Sequence, residues 1–144
     1  MPNERGVYFL QPSELPLRLP TAGGDYVYLW AAQRFRYEKS RRFLGEWKVQ
    51  TMQYIYTVGG GPNQDTDAFA AWHWHPAVRE ECHLHVYHDD ELIGPLRKMH
   101  LPTTRVSFEQ ILGFLIADLG VRARTGWEGV LSDSQDRFTE YKSW

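Results

Sequence analysis

The sequence predicts an α+β domain: an antiparallel β-sheet from the first two thirds, with two C-terminal helices packed on one face. Three observations predict it. Apolar and aromatic residues alternate with period two in several segments between Tyr26 and His88, apolar residues recur at helical spacing after Ser107, and no βαβ alternation links the two regions. The chain has 144 residues, 42% hydrophobic and 15% aromatic, so one domain over residues 1–144 with a substantial core is expected and general disorder is not.

Taken in order, Val7-Tyr8-Phe9-Leu10 reads as an edge strand, and Pro12, Pro16 and Pro20 argue against a long helix or central strand after it. Gly23-Gly24-Asp25 reads as a turn. Tyr26 to Tyr37 is β-prone, with Tyr26, Tyr28 and Trp30 on one face and an irregularity at its alanines before Phe35 and Tyr37. Trp47 to Val58 is its expected hairpin partner, with Val49, Thr51, Gln53, Ile55 and Thr57 sharing a face. Gly59-Gly60-Gly61-Pro62-Asn63 reads as a flexible connection; it lacks the lysine and the strand–loop–helix context of a phosphate-binding loop.

Phe69 to His75, stopped by Pro76, and Cys82 to His88, stopped by Asp89-Asp90, are expected to pair antiparallel across a loop of about six residues. Ser107 followed by Gln110 is a capping box opening a helix with a stripe of Phe108, Ile111, Leu112, Leu115, Ile116 and Leu119; Gly120 ends it. A second helix is expected from Gly126 or Trp127 to about Tyr141, burying Trp127, Val130, Leu131, Ser134, Phe138 and Tyr141.

Five of the six histidines fall within residues 73–88, in two H-x-H steps, His73-Trp74-His75 and His83-Leu84-His85, followed by His88. A strand turns alternate residues to one side, so Trp72, Trp74, Leu84 and Val86 are expected inward and His73, His75, His83 and His85 together on the other surface. Those four imidazoles are the candidate ligands for Zn2+ or another divalent transition metal. Three ligands would leave a position for water acidified enough to attack an ester, with His88, Glu80 or Glu81 as supporting groups or base. Metal-free RNA cleavage needs no cofactor: two of His75, His85 and His88 would move protons from the 2′-hydroxyl and to the leaving 5′-oxygen, and Arg79 would stabilise the phosphorane. Histidines scattered on the solvent face of a hairpin explain the same pattern without chemistry.

Net charge is −2, which argues against a generic nucleic-acid coat, yet Arg34, Arg36, Lys39, Arg41 and Arg42 lie within nine residues. With Phe35, Tyr37 and Phe43 they could hold an RNA backbone and stack bases; a solvated strand end is the plainer alternative. Leu101-Pro102-Thr103-Thr104-Arg105 precedes a helix whose amides could meet an anion, although capping by Ser107 accounts for it. The single cysteine, Cys82, and the lack of a signal-like or membrane-spanning run lead to a cytoplasmic expectation. A metal-stabilised or homo-oligomeric binding module without catalysis remains the alternative to a hydrolase.

The aromatic β half, the histidine-proline segment His73, His75 and Pro76, the His83-Leu84-His85-Val86 step and the two C-terminal helices resemble the TumE-type toxin-like family of prokaryotic toxin–antitoxin modules. The likeness of organisation spans Tyr26 to Tyr141, with Trp74 separating histidines that the family pattern places side by side. The resemblance implies an intracellular toxin with a DNA-binding antitoxin partner, and nuclease action.

Overall fold

The computed structural model describes residues 5–9, 15–39, 47–76, 79–87 and 101–141. Strands β1 (Arg5–Phe9) and β2 (Leu17–Pro20) lie along the two halves of the 14-residue β3 (Tyr26–Lys39), pairing with its residues 32–36 and 26–29. The proline-rich opening therefore forms short pieces at one edge, where a missing N–H is tolerated. Antiparallel neighbours then follow in sequence: β4 (Trp47–Gly59), β5 (Ala68–His75), β6 (Arg79–Val86) and the two-residue β7 (Leu101–Pro102). The order is β1-β3-β4-β5-β6-β7, with β2 also beside β3. A four-residue helix α1 (Gln64–Asp67) sits between β4 and β5, and α2 (Phe108–Ala117) and α3 (Trp127–Tyr141) complete the α+β fold.

Alternation makes the core. Val27, Leu29 and Ala31 of β3 and Tyr54, Tyr56 and Val58 of β4 are buried on one face, where Ile111 and Leu115 of α2 meet them. Trp72 packs edge-on against Phe114, 5.5 Å between ring centroids, so the tryptophans of β5 face the helices as expected. The capping box is present: Ser107 Oγ accepts from Gln110 N–H and the Gln110 side chain accepts from Ser107 N–H. Gly120, at φ 68°, takes the left-handed conformation that ends α2. Gly113, which breaks the apolar run from Ile111 to Ala117, lies on the side of α2 toward α3: a Cβ there would meet Leu131 at 4.0 Å, an ordinary van der Waals contact.

The structure corrects three expectations. The irregularity belongs to β4, not to the alanines of β3: Arg34 pairs with Gln53 but Phe35 with Thr51, so Met52 is an extra residue. This bulge flips the alternation, since two residues of β4 oppose one of β3. Gln53, Ile55 and Thr57 keep one face, whereas Val49 and Thr51 join Tyr54 and Tyr56 on the other, and Gln33 of β3 bonds Thr51 there at 2.8 Å. Val130 is 69% exposed, so the inner side of α3, half-buried rather than buried, runs through Trp127, Leu131, Ser134 and Phe138 without it, and the Tyr141 side chain lies outside what is described.

The triglycine connection also proves closely built. Gly60 N–H donates to the Asp67 carbonyl, and Asp67 accepts from Asn63 N–H. A Cβ at Gly59 would lie 2.6 Å from the Asp67 carbonyl oxygen, which is why glycine is needed there.

Candidate metal centre

The register of the β5–β6 pair decides what the histidines can do, because a one-residue slip would send them to opposite faces. His73 stands directly opposite His83, and Ala71 opposite His85. The three imidazoles consequently converge on the sheet face away from the helices. Their ring centroids are 4.7 Å apart for His73 and His85, 5.0 Å for His83 and His85, and 5.6 Å for His73 and His83. One nitrogen from each can be chosen so that all three lie within 4.8 Å of one another.

Zinc at about 2.0–2.1 Å from tetrahedral nitrogens holds them roughly 3.3 Å apart. Closing from 4.8 Å is a movement of about 1.5 Å, within reach of imidazole rotation about χ1 and χ2. The donor set fits a borderline-soft divalent ion, and three ligands leave a fourth position.

His75 is near but outside this group, 5.9 Å from His73 between ring centroids. The cause is local: the pairing shifts between His73 and His75, so that the backbone of His75 pairs with that of Arg79, whose side chain lies outside what is described, at the end of the hairpin. Burial, and then the neighbouring His83, lower the pKa of His75 below its ordinary value, leaving it a neutral base at pH 7.

His83 is 6% exposed, contrary to the expectation of an open histidine surface; Thr57 and Ala71 on the same face are also buried. The His83 Nδ1 lies 3.2 Å from the Glu81 carbonyl oxygen. In the tautomer that donates there, Nε2 keeps its lone pair for a ligand. The Tyr87 ring is parallel to His85 at 5.9 Å, and burial raises the pKa of its phenol, which stays protonated.

Beside the histidines the same face continues through Ile55, paired with His73, to Ala32 and Arg34 on β3. A shallow depression of about 260 Å³ has Ala32, Arg34, Gln53 and Ile55 in its lining. Arg34 is exposed, and Arg36, two residues on, donates from Nε to Gln50 Oε1 at 2.6 Å. Of the other expected phosphate-binding cations, Lys39 alternates to the opposite face and lies over Trp47, 5.7 Å from the ring centroid. Arg41, Arg42 and His88 fall outside the described residues.

Sequence reasoning missed one polar cluster on the helix-covered face. Arg105 stacks on Trp74, with its guanidinium carbon 3.1 Å from the ring centroid, close to Tyr54. No periodicity or motif couples Arg105 to Trp74; only the sheet register brings the segment before α2 over β5.

No match was found to any protein-family model, curated protein or solved structure. No helix among the described residues is long and apolar enough to cross a membrane.

Proposed function

We propose that this protein is a small histidine-centred phosphodiesterase of ribonuclease-like type, working at a transition-metal site held by His73, His83 and His85. The observation that carries the reading is the convergence of three imidazole nitrogens within 4.8 Å across two adjacent strands. A metal there would act as a Lewis acid on the phosphoryl group and acidify water in the remaining position.

The other residues take roles from their positions. His75, neutral and beside His73, accepts the proton from the attacking water. The water oxygen forms its bond to phosphorus, the bond from phosphorus to the leaving oxygen breaks, and that oxygen takes a proton from solvent, to which His75 releases the one it accepted, giving an alcohol and a phosphomonoester. Arg34, two strands across and two residues along from His73, about 12 Å in the plane of the sheet, anchors a phosphate further along the strand across the depression. A single strand of RNA suits this reading, since the surface offers a shallow path rather than a closed pocket.

The test is cleavage of bis(4-nitrophenyl) phosphate and of single-stranded RNA by protein purified without a histidine tag and reloaded with Zn2+ or Mn2+. The expected result is metal-dependent turnover that falls by about 10²-fold or more in His73→Ala and His85→Ala, and by about 10–10²-fold in His75→Gln. Equal turnover in all three variants with preserved folding would remove the assignment.

A second reading, a metal-stabilised module without catalysis, is favoured by the burial of His83. It predicts a chelator-sensitive melting temperature with no cleavage. The resemblance to TumE-type toxins supports a biological setting for the first reading, checked by growth arrest on expression and rescue by a neighbouring antitoxin gene.

A further inference from the structure

The helix-covered face of the sheet carries a second concavity, about 240 Å³, between β4 and the start of α2. Val49, about half exposed, lies at its mouth, and Tyr56, 1% exposed, forms its floor. Tyr56 stacks on Tyr54 at 4.8 Å and 9° and meets Phe108 at 5.7 Å, so a packed aromatic base holds Phe108, the half-buried ring of the wall, in place. Phe138 of α3 closes another side.

Two opposite charges line the same space. Arg105 is fixed by its stacking on Trp74 and by a long hydrogen bond, 3.5 Å, to the Thr51 carbonyl. Burial lowers its pKa to about 10, still well above neutral pH, so the guanidinium stays charged and its further N–H groups can donate to an anion in the hollow. Glu109 accepts from Ser134 Oγ at 2.6 Å, which holds its carboxylate in place and leaves acceptor capacity for a second donor. Glu109 and Tyr56 both line the hollow.

We propose that this hollow is a binding site for a small aromatic acid. The carboxylate lies against Arg105, the ring lies among Val49, Phe108 and Phe138, and a hydroxyl or amine across the ring donates to Glu109. The volume limits the occupant to about one ring, since sites for larger ligands span roughly 300–1,000 Å³. The site is separate from the histidines, which occupy the opposite sheet face, and stands whether or not the protein cleaves phosphodiesters.

The probe is 4-hydroxybenzoate, titrated calorimetrically into the full chain after metal removal. Saturable binding of one molecule per chain is expected, with a dissociation constant of about 1 mM or tighter. Phenol, which lacks the carboxylate, should bind about tenfold more weakly, as should 4-hydroxybenzoate to Arg105→Met. Val49→Trp, at the half-exposed mouth, should block entry without touching the core. Absence of saturable binding up to about 10 mM overturns the proposal. So does a constant unchanged in either variant that keeps the wild-type circular dichroism spectrum.

Discussion

At the scale of single residues, the sheet separates groups that look equivalent in sequence. His73 and His75 belong to one H-x-H step, yet the shift in pairing between them leaves His73 in the converging group of three imidazoles and His75 beside it. The density of histidines was legible from spacing; the three-plus-one division was not, because it depends on where a hairpin slips.

The lowered pKa of His75 fixes a direction for pH dependence. The unfolded chain takes up a proton near the ordinary value of 6.5, whereas the folded chain does so only at lower pH. Its contribution to stability is therefore complete above pH 6.5 and is lost as pH falls from there toward the folded value. Melting temperatures of the metal-free protein should decline over that acid range, and His75→Gln should flatten the decline. At Gly59, where an added Cβ would strike backbone, Gly59→Ala should destabilise by about 1–3 kcal/mol in urea unfolding.

At the scale of elements, the strands and helices were readable because their periods differ and their stops are chemically plain. Pro76 ends β5, Ser107 opens α2 and Gly120 closes it, each by a local backbone requirement. Ser107→Ala should cost about 0.5–2 kcal/mol by chemical denaturation, because the cap binds the Gln110 amide and the Ser107 hydroxyl also bonds Gln135 of α3. Leu115→Ala, in the face of α2 against the sheet, should cost about 2–5 kcal/mol. The bulge in β4 had no comparable signal: Gln50, Thr51, Met52 and Gln53 carry no glycine or proline, and their alternation reads equally well without a break. Tertiary pairing overrides the local pattern there, and with it the face of Val49 and Thr51.

At the scale of the whole molecule, one sheet serves two purposes. The face toward α2 supplies the core through Leu29, Tyr56, Val58, Ile111 and Leu115. The other gathers His73, His83 and His85 and extends through Ile55 toward Arg34. Since β5 and β6 contribute to both faces, packing of Trp72 on Phe114 also fixes the strand that carries His73. Binding of an ion by three imidazoles that belong to two strands should stabilise the fold by mass action and make the melting temperature depend on metal concentration.

The most direct measurement is X-ray absorption spectroscopy of the untagged protein loaded with one equivalent of Zn2+, compared with His73→Ala and His83→Ala. The account predicts one bound ion with three imidazole nitrogens at about 2.0–2.1 Å in the wild type, and loss of that coordination in each variant. No stoichiometric uptake, or an unchanged imidazole shell in a folded variant, would contradict it.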